Sequence, residues 1–266
     1  MIKICIPSYK RHNDVLALKE VSPENQTKYY WLCVRDEEID QYKKSYPYCN
    51  YLNLGTNFKD GGIVETRQRI NEMMSGKILV IDDDVTFRKT RVHETESFHY
   101  MRYDNSSTAN TVLDQMLTTI SKLMDDNPHG SIRSLQQPRD ARTWMPYTKN
   151  KTCLWAVWFN LDLIDTNQIS YRGGPENAED IYMSCQFFNL GYDLINVCEW
   201  SIKKFKVTNS QEGGCTLDNR GDIHDKSVRY LVDKFPHLCR SKKSNAYGGE
   251  LGVVCTLKRS KTQKLF

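Results

Sequence analysis

The run Lys77-Ile78-Leu79-Val80-Ile81 stops abruptly at Asp82-Asp83-Asp84, and no other stretch constrains the fold of this chain as strongly. Four aliphatics in succession, with no alternation, describe a strand buried on both faces, the situation of a parallel sheet covered by helices. Shorter apolar runs upstream fit the same plan. Lys3–Pro7, Tyr29–Val34 and Asn50–Leu54 read as strands. A short helix opening at Asn13-Asp14 with Val15, Leu16 and Leu18, a charged surface helix over Asp36–Lys44, and a helix carrying Ile63, Ile70, Met73 and Met74 fall between them. Strand and helix thus alternate through the first 84 residues, which predicts an α/β fold with a Rossmann-type, mostly parallel sheet flanked by helices. In such sheets ligands bind outside the carboxyl ends of the strands, and that is where the three aspartates lie.

The second half is less regular. Thr108–Asp126 has helical period, with Val112, Leu113, Met116, Leu117, Ile120, Leu123 and Met124 along one side. Ser131–Leu135 and Cys153–Asn160 are candidate strands, and a helix should run from Glu176 after Pro175 to Leu190 before Gly191. The stretch 211–221 reads as a Gly-rich loop and Asp225–Lys234 as a short helix closed by Pro236. Of 266 residues, 39% are hydrophobic and 26% charged, which describes a globular chain and excludes wholesale disorder. The longest apolar stretch, Leu154–Phe159, is far below the ~20 residues of a membrane-spanning helix, and Met1–Pro7 is too short an apolar run for a signal sequence. The expectation is a cytoplasmic protein without a membrane partner. Nine scattered cysteines without a C-x-x-C pair read as reduced core thiols.

Three clusters can carry chemistry. Adjacent carboxylates repel one another unless a cation compensates them, and hard divalent ions prefer carboxylate and phosphate oxygens. Asp82 and Asp84 are therefore candidate ligands for Mn2+ or Mg2+ bridged to a diphosphate. Glu179 and Asp180, in the first turn of the Glu176 helix, are candidates for a base or an acceptor-positioning pair; favourable helix-dipole electrostatics accounts for them equally well. Gly173-Gly174 just before them permits close backbone approach. Late in the chain His224 is a candidate third metal ligand, with Arg220 and Lys226 placed to neutralise a leaving diphosphate. His12, His93, His99, His129 and His237 have no such setting, and most of the Trp and Tyr rings, Trp155 and Trp158 included, read as core.

These residues, in this order, resemble the nucleotide-sugar-dependent glycosyltransferases of the GT-A fold. In that family an opening strand ends in a Pro-Ser/Thr-Tyr-x-Arg loop that touches the nucleotide, here Pro7, Ser8, Tyr9 and Arg11. A Gly-rich turn, here Gly61-Gly62, leads to a helix with an arginine near the donor, here Arg67. A D-x-D motif, here Asp82 to Asp84, binds Mn2+ or Mg2+ with the diphosphate, so that Asp83 also lies against the donor. An acidic pair, here Glu179-Asp180, opens a later helix, and a late histidine, here His224, can complete the metal shell. Ile6-Pro7-Ser8-Tyr9-Lys10-Arg11, the Glu176–Ile181 helix start and the late Gly-Gly with Arg220 and His224 further resemble the TET-associated glycosyltransferases of bacteriophages, which put sugars on hydroxymethylated pyrimidines in DNA. That family often reads Ala-Arg-Asn where this chain has Thr66-Arg67-Gln68. The resemblance implies a metal-dependent glycosyltransferase using a UDP-sugar donor and a 5-hydroxymethylcytosine acceptor in phage DNA.

The implied division is one catalytic domain over 1–239, with a nucleotide-binding half to about 105 and an acceptor half over about 106–239, followed by a basic segment at 240–266. There Arg240, Lys242, Lys243, Lys258, Arg259, Lys261 and Lys264 meet a single acid, Glu250, a charge pattern that suits a DNA partner and equally a solvated tail. The alternatives left open are a transferase of surface-glycan synthesis, a sugar-phosphate nucleotidyltransferase, which would want a Gly-rich phosphate loop after the first strand, and a non-catalytic nucleic-acid-binding module. No oligomeric state is set by the sequence.

Overall fold

The computed structural model describes residues 1–19, 21–56, 62–92, 98–102, 107–134, 147–204, 220–245 and 248–258. Strands β1 (Lys3–Pro7), β2 (Tyr30–Val34), β3 (Asn50–Asn53) and β4 (Lys77–Ile81) pair in parallel in the order β3-β2-β1-β4. The chain walks outward from β1 to β3 and then jumps to the other side of β1, so the β1/β4 junction is a topological switch point. Helices α1 (Pro23–Tyr29), α2 (Ile39–Ser45) and α3 (Gly62–Met73) make the connections. The unalternated β4 is buried on both faces as its sequence demands: Leu79 and Ile81 enter one core, Ile78 and Val80 the other.

From β4 onward the sheet changes character. β9 (Ala156–Asn160) is antiparallel to β4 and to β7 (His129–Ser134), which pairs in parallel with β10 (Ile195–Lys204); β10 in turn carries β5 (Val85–Val92) and β8 (Tyr147–Lys149), and β6 (Phe98–Arg102) closes the edge. Helix α4 (Ser107–Asp126) buries Leu113, Met116, Leu117, Ile120 and Met124 on one face, while α3, α5 (Glu179–Asn189) and α6 (Arg220–Lys234) cover the other with Ile70, Phe187 and Leu231. No helix among the described residues is long and apolar enough to cross a membrane.

Several boundaries differ from the sequence reading. Val15–Leu18 yields only a 3-10 turn, and the helix comes later, where Ser22 accepts the Asn25 N–H and Pro23 sits at the first helical position. The strand expected from Cys153 starts at Ala156 because Trp155 is in the left-handed region. The helix expected from Glu176 starts at Glu179, after left-handed Ala178. Arg220 and His224, expected near or in a loop, both lie on α6, whose start precedes the expected Asp225; residues 211–219 of that loop lie outside the described residues. The basic segment up to residue 258 is not a free tail. Strands β11 (Cys239–Lys243) and β12 (Leu251–Cys255) form an antiparallel hairpin that straddles the expected boundary at 239/240. Both carboxylate oxygens of Asp225 on α6 accept the Glu250 N–H, and one also accepts the Leu251 N–H. A Cβ on Gly221 would meet the Gly248 carbonyl oxygen at 2.6 Å, so only glycine allows this approach of hairpin to helix.

Candidate active site

The acidic triplet leaves β4 at the switch point, and each carboxylate has a different surrounding. Asp83 turns toward the loop after β1. It accepts a hydrogen bond from Ser8 Oγ at 3.0 Å and pairs with Arg11 Nη1 at 2.6 Å, with all three residues buried. Tyr42 of α2 donates to Ser8 Oγ at 2.9 Å, and its hydroxyl accepts the Arg11 N–H. Burial raises Asp83 to about 6, against the opposing pull of Arg11 and Ser8. The middle aspartate thus locks the β1 loop to the end of β4. Lys10, in the left-handed region, donates its N–H to Glu38, and the Arg35 guanidinium stacks on the Tyr9 ring 3.9 Å from its centroid.

Asp82 is held from two sides. Its N–H donates to the Trp155 carbonyl, so the left-handed residue that delays β9 also fixes the start of the triplet. Arg67 Nη2 reaches Asp82 Oδ1 at 3.1 Å, and Nη1 of the same guanidinium lies 3.5 Å from Glu179 Oε1. Arg67 is only 4% exposed. Burial opposes its charge, but Glu179, Asp82 and Asp180 outweigh that and keep it a cation. One arginine of α3 therefore joins the D-x-D strand end to the acidic start of α5. Next to it, burial and then repulsion from Glu179 raise Asp180 to about 7, with Arg67 pulling the other way. Asp180 Oδ1 accepts the Ile181 N–H. Gly174, just upstream, leaves no room for a Cβ, which would lie 2.5 Å from the Tyr182 ring.

The structure brings Ser8 and Arg11 onto Asp83, and Arg67 onto Asp82 and Glu179 with Asp180 alongside, so the two groups adjoin through the consecutive aspartates. Asp82 keeps 22% of its side chain exposed, whereas Asp84 is 2% exposed. His224 is buried in α6, and burial lowers its pKa, so it stays a neutral imidazole. The Asn177 N–H donates to Ser227 Oγ, which sets α6 beside the segment entering α5; Lys226 is exposed on that helix. Among the described residues the ligand atoms of Asp82, Asp84 and His224 do not gather within 4.8 Å of one another. The oxygen chemistry of Asp82 and Asp84 nonetheless suits a hard divalent ion, for which one or two carboxylates suffice when substrate phosphates complete the shell. Tyr42 and Gln68 escaped the sequence reading. Gln68 Oε1 accepts from the Tyr171 N–H and Ser170 Oγ, anchoring α3 to the segment before α5. Tyr42 carries no motif, and Gln68 stands where the family often has asparagine, a position whose anchoring role only the packing of α3 shows.

The family model for TET-associated glycosyltransferases matches residues 2–214. Two curated relatives, the β-glucosyl-HMC-α-glucosyl-transferases of enterobacteria phages T6 and T2, are each 26% identical to this chain over 92% of its length and 85% of theirs. Among solved structures, S. aureus TarS in complex with UDP-GlcNAc superposes with a TM-score of 0.50 at 11% identity, covering 88% of this chain and 66% of that one. The fold is GT-A.

Proposed function

The chain belongs to the TET-associated glycosyltransferases, and on that premise we propose that it moves a sugar from a UDP-sugar to the hydroxyl of a hydroxymethylcytosine-type base in DNA. The observation that carries this reading is Arg67, one buried cation joining the donor-side Asp82 to the acceptor-side Glu179 and Asp180. The two phage relatives, named for action on glucosylated HMC, supply the acceptor class.

In this scheme the loop Pro7, Ser8, Tyr9 and Arg11 receives the nucleotide, with Asp83 fixing its shape. Asp82 and Asp84 are the residues that would hold Mn2+ or Mg2+, which when bound offsets the charge of the leaving diphosphate. Arg220 and Lys226 on α6 would supply positive charge to the leaving diphosphate, and His224, whose pKa burial lowers, stays neutral one turn after Arg220. The bond from the sugar anomeric carbon to the diphosphate oxygen breaks, a bond to the acceptor oxygen forms, and UDP leaves. Asp180 orients the acceptor hydroxyl and, ionised above about pH 7, takes its proton and passes it to solvent. Glu179 keeps Arg67 in place while that charge changes. Exposed Arg240, Lys242 and Lys243 on β11 hold DNA phosphates beside the site.

The test is incubation with a panel of UDP-sugars and three otherwise identical duplexes bearing cytosine, hydroxymethylcytosine or glucosylated hydroxymethylcytosine, read by nucleoside mass spectrometry. Mass added to either modified duplex and not to the cytosine duplex is the expected result. Donor hydrolysis with no transfer to any duplex would sink the DNA acceptor.

A further inference from the structure

The sequence disperses its cysteines, but the fold gathers three of them. Cys185 lies on α5, Cys239 opens β11 and Cys255 ends β12. Cys239 and Cys255 are directly opposite in the hairpin, and the next pair outward is bonded from the Thr256 N–H to the Leu238 carbonyl. They therefore occupy a non-hydrogen-bonded position, where facing side chains approach most closely. Their sulfurs are 3.3 Å apart, and Cys185 Sγ is 3.6 Å from Cys239 Sγ. All three ligand atoms lie within 4.8 Å of one another, the only such trio of His, Cys, Asp or Glu side chains among the described residues.

The geometry points to a thiolate site for a soft or borderline metal ion, zinc above all, that ties the basic hairpin to the helix bearing Glu179 and Asp180. Zinc bonds thiolate sulfur at about 2.3 Å, so two sulfurs on one tetrahedral ion stand about 3.8 Å apart. The observed edges, 3.6 and 3.3 Å, need only a slight spreading to reach that value. Three thiolates exclude the hard ions that suit Asp82 and Asp84, so the two sites would not compete. Cys185 and Cys239 are buried against Phe188, Phe235 and Leu238, whereas Cys255 is partly exposed and gives the ion its way in. The fourth position of the tetrahedron is left to solvent on that side. Binding displaces the thiol protons to water and makes uptake weaker at low pH.

The mechanical consequence is specific. Cys185 sits five residues along α5 from Asp180, while Cys239 and Cys255 hold both strands of the hairpin that presents Arg240, Lys242 and Lys243. An ion on these thiolates would hold the phosphate-facing hairpin and the acidic helix start in one fixed relation, supplementing the Asp225 hydrogen bonds at the hairpin's far end.

The experiment uses the full chain, reduced and freed of metal, titrated with Co2+ and then Zn2+ under anaerobic conditions. About one cobalt should bind per chain with thiolate-to-metal charge transfer and the intense visible bands of tetrahedral coordination, and zinc should displace it. Cys255→Ser, chosen because its side chain is partly exposed, and Cys239→Ser should lose both signals. Cys198→Ser, on β10 and outside the trio, should keep them. Zinc should raise the unfolding temperature of the parent and leave that of Cys255→Ser unchanged, and circular dichroism checks that each variant is folded. No charge-transfer band in the reduced parent, or an undiminished band in folded Cys255→Ser, would overturn the assignment. A Cys239–Cys255 disulfide in anaerobically purified protein would do the same.

Discussion

Replacing Arg67 with methionine tests the site most directly, because the unbranched apolar stem and the helix preference are largely kept while the guanidinium, with its charge and hydrogen bonds, is removed. The guanidinium lies 3.1 Å from Asp82 and 3.5 Å from Glu179. At an effective dielectric constant of about 20, each contact has a gross attraction of about 5 kcal/mol. Desolvating the cation consumes several kcal/mol of that, and breaking a buried pair while stranding its partners costs about 3–5 kcal/mol. The stranded partners are acidic, so the penalty depends on pH. Asp180 is already raised to about 7 with Arg67 pulling it down, so without the cation its pKa must rise further. At pH 5 protonation relieves the repulsion; at pH 8 it does not. Urea unfolding followed by tryptophan fluorescence should therefore show the variant destabilised by about 3–5 kcal/mol at pH 8 and clearly less at pH 5. Arg67→Lys, which keeps the charge but cannot span both carboxylates, should fall between the two. A loss below about 1 kcal/mol that is the same at both pH values would refute the view that this cation holds the two halves of the site together.

Four further outcomes follow from particular groups. Folded Asp180 holds its proton to about 7, whereas the unfolded chain releases it near 3.9, so stability contributed by this group is lost as pH rises between those values. Asp180→Asn should flatten that slope in pH-dependent unfolding and abolish the rise of kcat/KM through about pH 7; an unchanged pH–rate profile would remove Asp180 as the base. Asp83→Asn should cost about 1–3 kcal/mol of stability by weakening the Arg11 and Ser8 bonds, with little change in metal dependence, measured by urea midpoint and manganese titration. Asp82→Asn and Asp84→Asn should each raise the manganese or magnesium concentration needed for half-maximal UDP-sugar turnover, and a metal requirement identical to the parent's would dismiss those ligands. Lys242→Gln and Lys243→Gln should each lower the slope of log affinity for duplex DNA against log salt by about 1, leaving UDP-sugar hydrolysis unaffected. Point changes are needed there, since truncation after Pro236 would delete β11 and β12, which pack on α6.

How much of this was legible beforehand depends on the range of the interactions involved. Period and burial are local, so β4, the parallel character of the first four strands, α4 and the placement of Asp82 to Asp84 at a strand's carboxyl end could all be read from consecutive residues, whereas the strand order and the antiparallel β9 beside β4 could not. Motif order was enough to resemble the right family over most of the chain. Three things required the fold. Asp83, indistinguishable from its neighbours in sequence, meets Ser8 and Arg11 because the turn that follows β4 lies beside the loop that follows β1, its parallel neighbour in the sheet. Arg67 bridges Asp82 and Glu179 only because α3 and α5 pack on the same face of the sheet, 97 residues of chain separating the two carboxylates it joins. Cys185, Cys239 and Cys255 meet because a hairpin folds back on α5 and α6, where sequence alone showed a basic tail and scattered thiols. Local chemistry fixes which residues can act; which of them act on each other is decided by packing, which brings distant segments together through buried surface that no short stretch of sequence encodes.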